Sequence, residues 1–407
     1  MLYIFKMNVL MSKFSDRLIG MEESATLAMS RKSRELKAQG LDIISLSLGE
    51  PDFNTPDFIK QAAVDAMDNN FTHYTPVPGF EDLRQAVAEK FKRDNGLHYE
   101  TNQIVVSTGA KQSIANVVMS IINPGDEVII PAPYWVSYIE IVKLAGGVPV
   151  IIEASMENDF KVSGAEVEAV ITDKTKMMIF SSPCNPTGSV YSKEELKDLA
   201  QTLSKYKQIT VISDEIYEHI NFFGKHESFA QFEEVYDQTV TINGLSKAWA
   251  MTGWRVGYIG ASKEIAAACD KMQGQFTSGT NSIAQKASIA ALKKDPSFLK
   301  DMLVSFKNRR ELVLNALRTI EGLKVNEPEG AFYFFPDVTH FFGKSFGKWT
   351  INSADDLSMY LLEEGLVAIV TGEAFGDPNC IRISYATDEA TLTEAMNRMA
   401  AALKKLK

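Results

Sequence analysis

Four short stretches of this 407-residue chain carry side chains able to do chemistry, and each follows an apolar run. The first, Val105-Val106-Ser107-Thr108-Gly109-Ala110-Lys111-Gln112, passes through a glycine turn into a helical segment. Free backbone N–H groups at a helix start, reinforced by the helix dipole, hold anions. The stretch has neither Walker spacing nor GxGxxG glycines, and alone it also reads as a tight strand-to-helix turn. In the second, Ser181-Ser182-Pro183-Cys184-Asn185-Pro186-Thr187-Gly188, the proline after Asn185 restricts its backbone, as it would in an ordinary turn. The third, Val211-Ile212-Ser213-Asp214-Glu215-Ile216-Tyr217, puts a carboxylate where an apolar strand ends, either as a paired buried charge or as a helix cap. The fourth, from Asn243 to Arg255, sets Lys247 among Ala248, Trp249 and Met251. Poor solvation lowers an amine's pKa and frees it as a nucleophile. Arg255, eight positions on, offers a donor fork suited to phosphate.

Loops so far apart in sequence need a scaffold that gathers them. β-Branched runs at Gln103–Ser107, Glu127–Pro131, Val148–Glu153, Lys176–Ser181, Gln208–Ser213, Gln238–Asn243 and Val256–Gly260 alternate with helical segments such as Lys111–Ile122, Ser192–Lys205 and Ile265–Gln273. Ser192 with Glu195 three residues on predicts a capping box. Such alternation implies βαβ units, a mostly parallel sheet covered on both faces, and hence a doubly wound α/β layer. Ligands of such sheets bind in the loops after the strands. After about residue 295 the pattern changes to a long charged helix (Pro296–Ile320), short strands near Gly330–Phe335, Val367–Val370 and Ile381–Ser384, and helices at Ala354–Glu364 and Asp388–Lys405. The expected organisation is an arm and helix (Ala25–Gln39) over residues 1–50, belonging with the smaller part; a large unit over 51–295; and a smaller α+β unit over 296–407.

Composition removes other classes. With 45% apolar residues the chain has ample core, and a net charge of −10 argues against a nucleic-acid binder, which needs a basic face. No apolar run reaches the roughly 18–20 residues of a membrane helix. Cys184, Cys269 and Cys380 are odd in number and far apart, making neither a disulfide framework nor a zinc ribbon, and point to a reducing, cytoplasmic setting. The first eleven residues lack a continuous apolar segment, so they read as a floppy start before structure begins near Ser12, or alternatively as an arm that docks on a partner subunit. Gly343–Trp349 imitates a phosphate loop with the wrong spacing and reads as surface. The five histidines have no metal-ligand spacing, and His219 reads as structural.

Taken together, a reactive lysine, an aspartate, a phosphate turn with an arginine and an Asn–Tyr pair are a protein's share of a pyridoxal-phosphate site. From about Ser15 to Leu406 the chain resembles the class I and II aminotransferases of fold type I, most closely the bacterial aspartate aminotransferase branch. The resemblance is carried by Gly49-Glu50-Pro51-Asp52-Phe53, His73-Tyr74-Thr75-Pro76, Gly109-Ala110-Lys111-Gln112, Pro133-Tyr134-Trp135, Asn185-Pro186-Thr187-Gly188, Asp214-Glu215-Ile216-Tyr217, the Lys247 motif and Ile381-Arg382-Ile383-Ser384. It implies pyridoxal 5'-phosphate as cofactor, Lys247 as Schiff-base lysine and proton shuttle, and Asp214 on the pyridine nitrogen. Tyr217 and Asn185 would bond the phenolic oxygen, and Trp135 would stack on the ring. Gly109, Ala110, Lys111 and Arg255 would hold the phosphate. Arg382, helped by Asn185 and the Gly49 backbone, would grip the substrate α-carboxylate. Tyr74 would reach the phosphate of a neighbouring subunit, implying a homodimer with shared active sites.

Departures from the family pattern shape the rest. Gly244 stands where relatives often have a phosphate-binding serine, which leaves Ser246 as the candidate ligand. Gln275–Thr280 holds no arginine to read a distal carboxylate, and in the resembling branch a lysine at the place of Lys111 does so. The expected reaction is therefore ping-pong transfer of an amino group from an L-amino acid, aspartate first, to 2-oxoglutarate. The alternatives are broader or aromatic specificity, or a carbon–sulfur β-lyase on the same cofactor. Glu22 replaces the lysine that prephenate-accepting relatives carry, which argues against prephenate. About fifty residues before Gly49 leave no room for the winged helix that a transcription regulator on this scaffold would need.

Overall fold

The computed structural model describes residues 13–407, so the readings of the first eleven residues lie outside the described residues. Seven strands form the larger sheet: β1 (Ile104–Ser107), β2 (Glu127–Ala132), β3 (Val148–Glu153), β4 (Thr175–Ser181), β5 (Thr210–Asp214), β6 (Thr239–Gly244) and β7 (Gly257–Gly260). Each coincides with one of the β-branched runs, its ends moved by a residue or two. β1, β6 and β7 are buried along their whole length, which is why they read as continuous apolar runs. One face packs on the helices Ala110–Ile121 and Lys263–Phe276 through Ile114, Val117, Ala266 and Cys269. The other packs on Lys193–Leu203 through Leu196 and Leu199. That last helix starts with the expected capping box: the Glu195 amide donates to Ser192 Oγ, and the Ser192 amide donates back to the Glu195 carboxylate.

The spatial order is β1-β7-β6-β5-β4-β2-β3. Pairing is parallel from β6 through β5, β4 and β2 to β3, and antiparallel on both sides of β7. Six strands share one direction. The residue that enters β7 therefore lies at the edge where the other six end. The register makes this concrete, because Gly257 pairs with Ser107 at the end of β1 and with Gly244 at the end of β6. β5 runs one residue past its apolar stretch, with Asp214 itself paired to Ser181 at the end of β4.

The remainder is an α+β layer. Ile381–Ser384 is the middle strand between Val370–Thr371 and Tyr333–Phe334, all antiparallel. The run expected as one strand over Val367–Val370 changes partner at Ile369: Val367–Ala368 pairs in parallel with Ile44–Ser45, tying the amino-terminal segment to this layer. The expected long helix begins as a 3-10 turn, Pro296–Leu299, capped by Asp295, and continues as Lys300–Arg318. No described helix is long and apolar enough to cross a membrane.

Candidate active site

The four loops meet at the carboxyl edge of the larger sheet, around a cavity of about 430 Å³ that also takes in the Gly49 turn and the start of the helix Ala25–Ala38. Its wall includes Gly49, Ala110, Lys111, Trp135, Asn185, Asp214, Tyr217, Ser246, Lys247, Arg255 and Arg382. Gly109 stands just behind Ala110. Tyr74 is outside the cavity and fully exposed.

The turn at Gly109 is built for close approach. Its φ of +86° is a left-handed value that favours glycine, and a Cβ there would lie 2.3 Å from Arg255 Nη2. A Cβ on Gly257 would lie 2.2 Å from the Ala110 nitrogen. The arginine that enters β7 is thus pressed against the start of the helix Ala110–Ile121, whose first amides have no side-chain cap. Uncapped amides, a helix dipole and a guanidinium at one point make an anion cradle.

The charge on the wall runs against that of the chain. Lys111, Lys247, Arg255 and Arg382 line the cavity against Glu50 and Asp214. None of the four cations has a carboxylate partner within 4.0 Å among the described residues. The Lys247 ammonium donates to the Gly49 carbonyl at 2.6 Å and lies 5.6 Å from the ring centre of Tyr217 and 5.8 Å from that of Phe332. Burial, then Arg382, bring its pKa down to about 8, with Glu50 and Asp214 pulling the other way. Lys111 lies over the Trp135 ring, 5.0 Å from its centre, and burial with the nearby Arg255 lowers its pKa as well.

Asp214 is 4% exposed. The Tyr138 hydroxyl donates to its Oδ2 at 2.7 Å and the Ile216 amide to its Oδ1 at 3.3 Å. Burial outweighs these bonds and raises its pKa to about 6. A buried carboxylate short of a cation fits a protonated ring nitrogen. Arg382, 2% exposed, donates to Asn185 Oδ1 at 3.0 Å and to the Ser47 carbonyl, and its Nε has no partner. Its guanidinium carbon lies 4.7 Å from the ring centres of Tyr333 and Phe375. That is an unneutralised fork facing a cavity, suited to a carboxylate. The Tyr217 hydroxyl shares a 2.8 Å bond with that of Tyr333.

Two members of this constellation were not foreseen. Tyr138, partner of Asp214, sits three residues after Trp135 in the helix Ser137–Leu144, and Tyr333 lies in the strand beside Arg382. The helical spacing from Trp135 to Tyr138 was a visible signal, although a tyrosine among apolar residues also reads as core. Next to Asp214 and Tyr217, Glu215 and Glu218 enter a buried network. Glu215 accepts from Ser213, Ser228, His226 and the Phe229 amide. Glu218 pairs with Lys90, and accepts from Asn95 at 2.7 Å with His219 at 3.1 Å. Asp94, Glu218 and His219, and likewise Glu215, Glu218 and His226, lie close enough to share a cation, but the Lys90 ammonium already neutralises Glu218. Gly343–Trp349 forms part of a small hairpin pairing Ser345–Phe346 with Trp349–Thr350.

Against known proteins, the model of the family described as aminotransferase class I and II matches residues 41–399. A probable aspartate/prephenate aminotransferase of Rhizobium leguminosarum bv. phaseoli is 47% identical over 394 residues, covering 96% of this chain and 98% of the relative. An aspartate aminotransferase of Bacillus sp. (strain YM-2) is 46% identical over 387 residues, covering 95% and 97%. The solved aspartate aminotransferase of Rhizobium meliloti superposes with a TM-score of 0.94 at 42% identity, over 97% of this chain and 99% of that one.

Proposed function

The chain belongs to the class I and II aminotransferases, and from that membership we propose that it binds pyridoxal 5'-phosphate in the cavity described and moves an amino group from aspartate to 2-oxoglutarate. The observation that carries the reading is the meeting of Lys247, Asp214, Arg255 and Arg382 on one wall. When bound, the cofactor supplies an aldehyde for the amino group and a ring that takes up the electron pair left on the α-carbon. The amides at Gly109, Ala110 and Lys111, with Arg255 and Ser246, would hold its phosphate. Asp214, kept in place by Tyr138, would hold the proton on the ring nitrogen. Tyr217 and Asn185 would donate to the ring oxygen, and Trp135 would cover one ring face.

Lys247 does the proton work in this reading. An amine with a pKa of about 8 is partly neutral near physiological pH, so it can take the α-proton and return it. Arg382 would bind the α-carboxylate bidentately with the second N–H of each Nη, keeping the bonds it gives to Asn185 and Ser47. Lys111, without a carboxylate partner at the cavity mouth, would read the distal carboxylate, which places aspartate and glutamate ahead of alanine or phenylalanine. Glu22 would stand where prephenate-accepting relatives carry a lysine, and its amide donates to the Glu140 carboxylate at 3.1 Å, which puts a second acidic group beside it. Prephenate should be a poor substrate. The exposed Tyr74, with exposed Phe276 and Met67, supports a homodimer in which Tyr74 completes a neighbour's site.

Half-reaction rates of the yellow enzyme with aspartate, glutamate, alanine and phenylalanine test this. Lys247→Ala is expected to lose at least about a thousandfold in rate. Lys111→Ala is expected to lose the preference for aspartate while its rate with alanine is kept. Full turnover by Lys247→Ala refutes the mechanism, and equal rates for aspartate and alanine in the unaltered chain refute the specificity.

A further inference from the structure

One charged pair, a buried arginine with an exposed aspartate, has no part in the reaction so far. Arg309, on the helix Lys300–Arg318, makes a two-pronged pair with Asp52, Nη1 to Oδ1 at 2.7 Å and Nη2 to Oδ2 at 2.9 Å. The arginine is 7% exposed, and its guanidinium carbon lies 5.1 Å from the ring centre of Phe53 and 5.6 Å from that of Phe306. Sinking a guanidinium between rings and spending both its prongs on one carboxylate fixes that carboxylate in position and direction.

What is fixed is a strap, Ser47–Asp52, that reaches both substrate-handling cations. The Ser47 carbonyl accepts from Arg382, the Gly49 carbonyl accepts from Lys247, and the Glu50 carboxylate accepts from the Thr252 hydroxyl. On its inner side the strap is stopped by Tyr333, since a Cβ on Gly49 would lie 2.0 Å from the tyrosine oxygen. Elsewhere the strap is only partly packed, with Ser47 and Pro51 buried but Leu48 and Glu50 exposed. A second cavity of about 310 Å³ also borders it, walled by Leu48, Glu50, Pro51 and Asp52 of the strap and by Ser384. A backbone segment bordering two cavities depends on its anchors, and the ion pair closes its carboxyl end.

We propose that Arg309, acting through Asp52, is a positioning residue: it anchors the strap whose carbonyls set the Lys247 amine and the Arg382 guanidinium in register with one another. The inference rests on Lys247 being the reacting amine. It has a direct consequence for that amine. A carbonyl held at 2.6 Å favours the ammonium over the free amine. Loosening the strap withdraws part of that bond, so the amine should lose its proton more readily.

The test is competitive labelling of the full chain, stripped of cofactor, with acetic anhydride across pH, with the Lys247 peptide read by mass spectrometry. In the parent chain the midpoint should lie near 8. In Asp52→Asn and Arg309→Met it should fall by about half to one pH unit, the worth of part of a charged hydrogen bond. Arg309→Lys, which keeps the charge and loses the fork, should lie between. In the loaded enzyme the same variants should raise KM for the amino donor as well as lower kcat, because Arg382 shares the strap. A merely less stable protein would lose active sites at unchanged KM. Asp52 is exposed, so Asp52→Asn serves if Arg309→Met fails to fold. A folded Asp52→Asn with the parent midpoint and parent KM overturns the inference and leaves the proposed function standing. Full turnover by Lys247→Ala overturns both.

Discussion

Asp214 should cost the chain stability whenever the cofactor is absent. Burial raises its carboxyl to about 6 from the ordinary 3.8. At about 1.4 kcal/mol per pH unit, holding it charged at pH 7.5 costs about 3 kcal/mol. The sign follows from proton binding. Between the two values the folded chain holds a proton that the unfolded chain has released, so stability is highest in acid and falls as pH rises through about 6. Asparagine keeps the shape with no charge to bury, its oxygen accepting from the Ile216 amide and its NH2 donating to a Tyr138 hydroxyl that turns to accept. Asp214→Asn is therefore expected to stabilise the cofactor-free chain at pH 7.5 by up to about 3 kcal/mol, the gain fading toward about pH 4. Pyridoxal phosphate should reverse the ranking. The parent gains from a ligand whose ring nitrogen pairs with the carboxylate, and the amide cannot match that gain. Urea unfolding followed by tryptophan fluorescence at several pH values, with and without cofactor, measures both arms. A variant less stable than the parent at pH 7.5 without cofactor, or a gain that does not change with pH, refutes the burial account.

Two further outcomes probe the cradle and the network beside it. Gly109→Ala forces a left-handed φ at about 1–2 kcal/mol and drives a methyl into Arg255, so equilibrium dialysis should show both pyridoxal phosphate and inorganic phosphate bound at least about tenfold more weakly. Unchanged phosphate affinity would remove this turn from the site. Glu218→Gln leaves the buried Lys90 with only Asp94, 4.0 Å away, as carboxylate partner and should cost about 3 kcal/mol at pH 7 in thermal or urea unfolding. Although burial opposes it, Lys90 and His219 hold the Glu218 carboxyl well below its ordinary value. Its stabilisation is present above the ordinary 4.5 and lost as pH falls below it, so the deficit of the variant should close in acid. An equal deficit at pH 3 and pH 7 would contradict the ion-pair account.

How far the site could be read in advance depended on whether a residue's neighbours in sequence are also its neighbours in space. Lys247 was visible because its flank, Ala248 to Met251, is apolar, although the rings beside its amine, Tyr217 and Phe332, come from other segments. Asp214 was visible because an apolar strand delivers it. Tyr138 and Tyr333 act on residues 76 and 116 positions away, and the one local signal, the spacing of Tyr138 from Trp135, reads equally well as core. Arg309 is hidden for the same reason, reading as one more charge on a charged helix until Asp52 is seen 257 residues away. The net charge of −10 is an average over the surface, and it conceals a wall where four cations face two carboxylates.

The direction of β7 is the feature on which the anion cradle turns, and it goes with the lack of a crossover helix. A parallel crossover takes about a dozen residues or more, usually with a helix. Leu245–Val256, between β6 and β7, holds only a three-residue 3-10 turn, Thr252–Trp254. With no crossover helix to carry it back along the sheet, the chain turns at one edge, and β6 and β7 pair in opposite directions. The chain thus leaves β6 with Lys247 and returns into β7 through Arg255 at the same edge of the sheet. Had β7 run with the others, its four residues would carry Arg255 about 13 Å away, to the opposite edge, far from the Gly109 turn. The reversal therefore lets one connection supply both the amine and the guanidinium at the Gly109 turn. Lengthening this connection should harm cofactor binding before it harms the sheet.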